Sequence, residues 1–207
     1  MRQLYDTTAA PPQLFFFIRH GETEWWLSGQ HTGRTDVALT TEGERDARKL
    51  APHLRRFEFT HVLTSPMLRA RQTCDLAGLG AVAETEPDLS EWDYGEYEGR
   101  LTSDIQKELP GWNVFRNGCP RGESPAQVSR RADRLIEHLK EFKGNVALFS
   151  HGQFGASLGA RWIGLPVLEG EHFLLDAPSL SILTCNPLHP ERQVIRLWNA
   201  SVEFLSH

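Results

Sequence analysis

The stretch Phe15-Phe16-Phe17-Ile18-Arg19-His20-Gly21-Glu22-Thr23 is an apolar run that ends abruptly in polar and charged residues. A short apolar run followed at once by glycine predicts a buried strand and the turn that leaves it. Ligands of open α/β sheets bind at the carboxyl ends of the strands. Arginine and histidine at such an end suit an anion, because one guanidinium can donate two hydrogen bonds to one phosphate. For this stretch alone, a surface turn with an ordinary histidine is the alternative interpretation.

Two further strand ends carry residues of the same chemical type. The stretch His61–Ser65 predicts a second strand, and Ser65-Pro66 predicts a capped helix start that places Arg69 in the first turn. The stretch Asn145–Ser150 predicts another buried strand, which ends in His151-Gly152. Parallel strands end at the same sheet edge, so two arginines, two histidines and helix amino ends are expected to meet there. Together they predict a site for a dianion such as a phosphoryl group.

The order of the predicted elements indicates the fold class. Ser124-Pro125-Ala126-Gln127 predicts a capping-box helix start, and Gly144 is expected to close that helix. Thr40 or Thr41 caps an earlier helix, which Pro52 is expected to kink or divide. Alternation of strands and helices predicts an α/β domain of three layers, α/β/α, with a mostly parallel central sheet. The other predicted elements are a loop over 24–37, a strand over 81–84, helices over 101–109 and 154–163, and strands over 172–175, 180–184 and 193–197.

The segment Leu89–Gly99 mixes acidic and aromatic residues. Such a segment is most often a solvated loop. A carboxyl group beside tryptophan and tyrosine, however, is in surroundings that can raise its pKa and keep it protonated near neutrality, which suits a proton donor. Glu91 is the candidate for that role. The Gly/Pro-rich segment Pro110–Gly122 is interpreted as an insertion and a candidate lid over the site.

These groups predict phosphoryl transfer through a covalent intermediate. A neutral imidazole is a competent nucleophile, so His20 is expected to attack the phosphate of a monoester and become phosphohistidine. Arg19, Arg69 and His151 are expected to hold the equatorial oxygens, where the charge of the transition state is spread. Glu91 is expected to protonate the leaving alcohol and then to deprotonate the attacking water. Two histidines could also bind zinc, but arginines in the same pocket disfavour a cation. The sequence has neither a P-loop nor an aspartate cluster for magnesium. No metal and no cofactor is therefore expected.

Composition narrows the class of protein and its location. The chain has 207 residues and a net charge of −5 without a basic block, so nucleic acid is not an expected partner. The longest apolar run is too short to span a membrane. The three cysteines, Cys74, Cys119 and Cys185, fit neither a disulfide framework nor a zinc pattern. A cytoplasmic location is therefore expected. Residues 1–13 are interpreted as a flexible N-terminal lead-in and residues 14–207 as a single domain.

Four motifs in this order resemble those of the histidine phosphatase superfamily, whose fold is the phosphoglycerate mutase-like fold. The resemblance covers nearly the whole chain from Phe16 to about Leu183. It identifies residues 14–207 as one histidine phosphatase domain. The four motifs are Arg19-His20-Gly21-Glu22-Thr23-Glu24-Trp25, Ser65-Pro66-Met67-Leu68-Arg69-Ala70-Arg71-Gln72-Thr73, Glu91 with Tyr94-Gly95 and Tyr97-Glu98-Gly99, and Ser150-His151-Gly152.

Within that superfamily the chain looks closest to metal-independent phosphatases of small phosphorylated metabolites, the acid phosphatase and sedoheptulose-bisphosphatase-like branch. The resemblance rests on the stretches 28–33, 91–95, 118–124 and 173–176. It implies a small, sugar-phosphate-like substrate. The residues that it places around this substrate are Thr23, Thr32, Gly33, Tyr94 and Gly152.

Three departures and two alternative functions accompany the resemblance. Trp26 stands where relatives carry a small polar residue, so a phosphate donor is expected to be missing and the pocket to be narrowed; Gln153 replaces a second histidine. Trp92 replaces the basic residue usual in the mutase branch, which disfavours a 2,3-bisphosphoglycerate-dependent phosphoglycerate mutase. The other alternative, favoured by Trp26 alone, is a non-catalytic member that binds phosphorylated ligands. A homodimer through exposed aromatic residues near the C-terminal strands is a candidate assembly.

Overall fold

A six-stranded sheet forms the centre of the structure, a computed structural model that describes residues 12–205. The strands are β1 Leu14–Arg19, β2 Phe59–Thr64, β3 Ala83–Thr85, β4 Asn145–Ser150, β5 Ser179–Asn186 and β6 His189–Ser201. They lie in the order β3-β2-β4-β1-β5-β6; the first four are parallel, and β5 and β6 form an antiparallel hairpin at one edge. The predicted α/β fold with a mostly parallel sheet is therefore confirmed.

Helices cover both faces of this sheet. Short 3-10 helices connect some of the longer elements, at Gly80–Val82, Pro87–Leu89, Gly95–Tyr97 and Val167–His172. The α-helices are α1 Glu24–Ser28, α2 Thr41–Leu54, α3 Leu68–Leu76, α4 Thr102–Glu108, α5 Val114–Asn117, α6 Pro125–Leu139, α7 Gly152–Trp162 and α8 Val202–Leu205.

The alternation of side chains along β1 explains the three layers. Phe15 and Phe17 point to the face covered by α6 and α7, where they join one apolar core. Phe16 and Ile18 point to the opposite face and join a second core with α2 and α3. An all-apolar strand of this kind is typical of a sheet that is buried on both faces. The sequence of β1 thus requires the helices on both sides.

Two helices begin as the sequence predicts. Ser124 caps α6 through a complete capping box with Gln127, although α6 ends at Leu139 rather than continuing to Gly144. Thr40, and not Thr41, caps α2, because its hydroxyl accepts a hydrogen bond from the Gly43 N–H. Pro52 neither divides nor ends α2. It lies in the last turn of the helix, which ends two residues later at Leu54.

Three other local predictions are wrong. The predicted loop over 24–37 begins with helix α1, since Thr23 caps it and Gly29 ends it at a positive φ of 77°. Helix α3 begins at Leu68 rather than at the predicted Ser65-Pro66 start, and Met67 occupies its N-cap position without a side-chain hydrogen bond. The predicted strand over 172–175 is the end of a 3-10 helix followed by a loop.

Two predictions from composition are only partly within the described residues. Of the predicted lead-in, residues 1–11 lie outside them, whereas Gln13 hydrogen-bonds both the Phe142 carbonyl and the Thr184 hydroxyl. None of the described helices has the length and apolar character needed to cross a membrane.

Candidate active site

His20 follows the carboxyl end of β1 and is almost fully buried. Its Nδ1 lies 2.7 Å from the carbonyl oxygen of Gly21. A carbonyl only accepts hydrogen bonds, so Nδ1 carries the ring proton and Nε2 carries the lone pair. The Nε–H of Arg69 donates to that Nε2 at 3.2 Å. The backbone therefore selects the tautomer whose free nitrogen faces a cation.

Arg69 lies in the first turn of α3, and its side chain is completely buried. Its terminal nitrogens donate to the carbonyls of Thr32, Gly33 and Thr35 at 2.9 to 3.1 Å. These carbonyls belong to the loop after α1, so that loop fixes the guanidinium against His20. Burial is the main cause that lowers the pKa of Arg69, and Glu91 opposes it. The guanidinium keeps its charge because an arginine pKa starts far above neutrality.

Arg19 is the last residue of β1 and contributes the second guanidinium. One of its terminal nitrogens donates to the carbonyl of Leu175. Its Nε is buried and has no hydrogen-bond partner among the described residues. A buried donor without a partner costs about 1–3 kcal/mol, a cost that an anionic ligand would remove.

His151 follows the carboxyl end of β4 and is fully buried. Its ring centroid lies 5.2 Å from that of His20. Its Nε2 lies 2.7 Å from the Ser65 hydroxyl, which also accepts a hydrogen bond from the Met67 N–H. Its Nδ1 is a second buried atom without a partner in the described part of the chain. Ser65, predicted to cap a helix, thus holds this histidine.

Both imidazoles are uncharged at neutral pH. Burial lowers the pKa of His20 well below its ordinary value, and the positive charges of Arg69 and Arg19 lower it further. Burial and Arg69 lower the pKa of His151 in the same way. An uncharged ring is required for a nitrogen nucleophile, so this environment suits His20 for attack on phosphorus.

Glu91 lies beside the amino end of α7 and is almost fully buried. One carboxyl oxygen accepts hydrogen bonds from the N–H groups of Trp92 and Phe154, and the other accepts from Gln153. All three of these donors are backbone N–H groups, so the backbone fixes the position of the carboxyl group. Two of the N–H groups at the amino end of α7 are therefore bonded to Glu91 rather than left for a ligand.

Arg131, which the sequence did not single out, organises the segment that contains Glu91. The arginine lies on α6 and is buried. It donates to the backbone carbonyls of Ser90 and Glu91 at 2.6 and 3.3 Å. It also forms an ion pair with Glu123 at 2.7 Å, and Glu123 in turn accepts a hydrogen bond from the Asp93 N–H. This network fixes the backbone on both sides of Glu91.

A cavity of about 470 Å³ opens onto Arg19, His20 and Glu91, whereas Arg69 and His151 do not belong to its lining. Of the residues that the resemblance placed around the substrate, Gly33 lies outside the lining. Its carbonyl supports Arg69 instead, and an added Cβ there would lie 2.2 Å from a Glu98 carboxyl oxygen. The predicted site residues that do line the cavity are Arg19, His20, Thr23, Thr32, Glu91, Tyr94 and Gly152.

Tyr94 and Thr23 border the cavity in different ways. Tyr94 stacks on the ring of His31 at 4.5 Å, and burial raises its pKa well above the ordinary value. Its hydroxyl therefore stays protonated. Thr23 uses its hydroxyl to accept a hydrogen bond from the Trp26 N–H, as the cap of α1. Gly152 leaves room for Arg19, whose guanidinium carbon lies 3.0 Å from the position of a Cβ.

Trp26 and Gln153, two of the three departures from the resemblance, also line the cavity. Trp26 is 41% exposed and stands beside an open cavity, so it does not fill the phosphate site. Gln153 contributes its backbone N–H to Glu91. The predicted insertion contains helix α5, and Asn113 and Phe115 from this insertion line the cavity. Its action as a lid stays a prediction.

The remaining lining residues were not predicted individually as site residues, although some lie in the stretches 28–33 and 173–176 that carry the resemblance. They include Gln30 and His31 after α1, and Glu171 to Leu175 before β5. Glu171 and His172 lie at the amino end of the strand predicted over 172–175, whereas site residues were expected at carboxyl ends of strands. In residues 12–205, no group of three or more His, Cys, Asp or Glu side chains is arranged to hold a metal ion.

Known proteins resemble this chain over most of its length. The model of the histidine phosphatase superfamily (branch 1) matches residues 15–201. The chain belongs to this superfamily. It is 42% identical to an acid phosphatase of Mycobacterium tuberculosis over 86% of this chain and 88% of that protein. It is 36% identical to sedoheptulose 1,7-bisphosphatase of Saccharomyces cerevisiae over 72% and 67% of the two chains.

A solved structure shows the same fold. The product of an open reading frame of Mycobacterium tuberculosis superposes with a TM-score of 0.86 at 36% identity, covering 92% of this chain and 98% of that one. This likeness confirms the phosphoglycerate mutase-like arrangement of the sheet and helices. With the named relatives, it supports the enzyme class: the chain is a phosphoric monoester hydrolase of the histidine phosphatase superfamily.

Proposed function

We propose that this chain hydrolyses phosphate monoesters of small, sugar-like metabolites through a phosphohistidine on His20. The observation that carries this proposal is the tautomer of His20. Its Nδ1–H is held by the Gly21 carbonyl, and its Nε2 lone pair faces the Arg69 guanidinium. A phosphoryl group drawn to Arg69 would meet a nitrogen lone pair that is already oriented for in-line attack.

The cationic groups around His20 supply the electrostatic part of catalysis. In the loose transition state of phosphoryl transfer, negative charge is spread over the equatorial oxygens. Arg19 has a buried Nε–H free for one of these oxygens. In the free protein the Arg69 Nε–H donates to Nε2 of His20. When the lone pair of Nε2 attacks phosphorus, this N–H would donate to another equatorial oxygen instead. Both donors are fixed before the substrate arrives, which lowers the cost of stabilising the transition state.

His151 supplies a further donor in this proposal. The Ser65 hydroxyl accepts from the Met67 N–H, so its own proton is available to the Nε2 of His151. That arrangement leaves the proton of His151 on Nδ1, the atom without a partner. The neutral ring then donates to a phosphoryl oxygen without adding a charge.

Glu91 completes the reaction as the acid and the base. In this scheme Glu91 enters the reaction as the protonated carboxyl group. The protonated carboxyl gives its proton to the leaving alcohol as the P–O bond breaks and the P–N bond forms. The carboxylate then takes a proton from water, which attacks the phosphohistidine and releases phosphate and His20.

Two alternative functions remain for the test to separate. A phosphoglycerate mutase would pass the phosphoryl group to another hydroxyl rather than to water. The basic residue usual after the donor glutamate of that branch is Trp92 here, and it is completely buried. A non-catalytic member would need a blocked or incomplete site, whereas His20, Glu91 and Arg19 all line the open cavity beside Trp26.

The test is hydrolysis of p-nitrophenyl phosphate in EDTA between about pH 4 and 8, a range that brackets the carboxyl and imidazole titrations. Wild type is expected to turn over, and His20→Ala to lose at least about 10³-fold. His189→Ala, an exposed histidine on the β5–β6 hairpin, is the matched control and should match wild type. Equal turnover by His20→Ala would contradict the proposal. No turnover by wild type would direct attention to mutase activity, and failure there to a binding protein.

A further inference from the structure

The wall of the cavity divides into two chemically different parts. The strand ends supply Arg19, with Arg69 behind His20. Among the described residues that line the cavity, Arg19 is the single lysine or arginine. The rest of the wall comes from segments 25–32, 113–115 and 170–175 and is mainly aromatic and polar. The cations are therefore placed for one phosphoryl group, and the leaving group meets a wall of another kind.

Glu171 places a negative charge on this second part of the wall. Arg116 donates to both of its carboxyl oxygens, and the Asn113 side chain donates to one of them at 3.1 Å. The hydrogen bond with Arg116 lowers the pKa of Glu171. The carboxylate is consequently present throughout the neutral and mildly acidic range.

The cation that pairs with Glu171 does not reach the cavity. The Arg116 side chain is 57% exposed, whereas that of Glu171 is 15% exposed. Arg116 does not belong to the lining, but Glu171 does. Solvent and salt screen an exposed charge more strongly than a buried one. A ligand in the cavity therefore experiences more of the negative charge than of the positive charge of this pair.

The histidines near this wall do not compensate for that charge. Burial lowers the pKa of His31 to about 4, so its ring is neutral. His172 is exposed and lies 3.7 Å from the carboxylates of both Glu169 and Glu171. Any positive charge on His172 is thus already opposed by two negative ones. Among the described residues of this second part of the wall, no cation is left free for another anionic group of the substrate.

We propose that Glu171 is a specificity-determining residue that selects phosphate monoesters with an uncharged leaving group and disfavours substrates with a second anionic group. This inference rests on the proposed function and names its substrate class. The carboxylate and the Asn113 amide can bind hydroxyl groups, and the rings of Trp25, Trp26 and Phe173 offer apolar faces to a carbon skeleton. A carboxylate or second phosphate on the substrate would instead face Glu171 without a partner.

The test compares two ligands that differ in one group. Glycerol 3-phosphate and 3-phosphoglycerate share a three-carbon skeleton, but the second carries a carboxylate where the first carries a hydroxymethyl group. Their inhibition constants are measured against p-nitrophenyl phosphate hydrolysis, so neither needs to be a substrate. For wild type, the constant of 3-phosphoglycerate should be at least about tenfold higher, the effect of one nearby charge at an intermediate dielectric.

Two charge-removing variants give opposite expectations. The ratio compared is the inhibition constant of 3-phosphoglycerate divided by that of glycerol 3-phosphate. Glu171→Gln removes the negative charge, and this ratio should fall about 3–10-fold. Arg116→Gln leaves Glu171 without its cation, and the ratio should rise by about 2–5-fold. The ratio is taken within each variant, so a general loss of activity cancels. If both variants lower the ratio alike, the pair acts only as a structural unit and the inference is overturned.

Other outcomes separate this inference from the proposed function. Equal inhibition of wild type by the two ligands, stronger inhibition by 3-phosphoglycerate, or no inhibition by glycerol 3-phosphate overturns the selectivity while leaving phosphatase activity intact. Failure of the proposed function appears as no hydrolysis of p-nitrophenyl phosphate at all. In that case calorimetric titration of the same two ligands into wild type and both variants measures the same ratio, with the same expected signs.

Discussion

The two histidine-bearing strand ends look alike in sequence and differ in their hydrogen bonds. Each histidine follows a buried strand and precedes a glycine, and the pKa of each ring is lowered by burial and nearby arginines. His20, however, is held at Nδ1 by a backbone carbonyl, whereas His151 is held at Nε2 by the Ser65 hydroxyl. The nitrogen left available is therefore different in the two rings.

This difference shows what assigns a role to each histidine. A ring held by its own backbone presents Nε2, with its lone pair, to Arg69, and this suits a nucleophile. A ring that receives a hydroxyl proton at Nε2 presents an Nδ1–H, and this suits a hydrogen-bond donor. The motif brings a histidine to the site, and the neighbouring partner decides what the histidine can do.

Replacing His151 should cause the largest loss of turnover among the variants that can still form the phosphohistidine on His20. His151→Ala removes one donor to the transition state, so turnover of p-nitrophenyl phosphate should fall about 10²–10³-fold. Since the nucleophile remains, labelled phosphate should still be trapped on the protein. His151→Gln restores an N–H and should recover part of the loss. Loss of the phosphorylated protein in His151→Ala would mean that the two histidines do not have separate roles.

Removing the Ser65 hydroxyl should have a smaller effect, confined to one histidine. Without it, His151 is free to protonate Nε2 instead of Nδ1, so kcat should fall by about tenfold, a typical cost of disturbing the partner of a catalytic group. Ser150→Ala is the matched control, because the Ser150 hydroxyl is equally buried but donates to the Leu89 carbonyl. Each variant should lose about 1 kcal/mol of unfolding free energy. A fall in kcat of equal size in the control would show that Ser65 acts through stability alone.

Acidification should affect both histidines alike, since both are buried and uncharged. The unfolded chain binds their protons near pH 6.5, whereas the folded chain does so only at much lower pH. The unfolding free energy should therefore fall as pH drops below about 6.5, by about 1 kcal/mol per histidine between about pH 7 and 5.5. Urea unfolding of wild type, His20→Asn and His151→Asn checks this sign. Each variant should show a weaker pH dependence than wild type, and an unchanged one would contradict buried neutral rings.

The sequence was sufficient for the parts of the site that depend on local patterns. The apolar run before His20 and the run before His151 predict strands, and a parallel sheet necessarily brings their ends together. The capping box at Ser124 likewise predicts the start of α6. These signals are local, and the fold itself supplies the long-range arrangement.

Other parts of the site depend on contacts between distant residues, which leave no local pattern. The Leu175 carbonyl binds Arg19, 156 residues away, and it comes from a segment predicted as a strand. Arg131 has no distinguishing pattern around it in the sequence, yet it holds the backbone around Glu91. Ser65 had the pattern of a helix cap, but a cap and a histidine partner both require a hydroxyl, so sequence alone could not separate them.

The position of the phosphoryl group on the trapped intermediate shows directly which histidine, and which of its nitrogens, is the nucleophile. Wild type is mixed with labelled p-nitrophenyl phosphate, quenched in alkali to preserve phosphohistidine, digested and analysed by mass spectrometry. We expect label on the peptide that contains His20, attached at Nε2, because Nδ1 is bound to the Gly21 carbonyl. Label on the His151 peptide, or at Nδ1 of His20, would contradict this expectation.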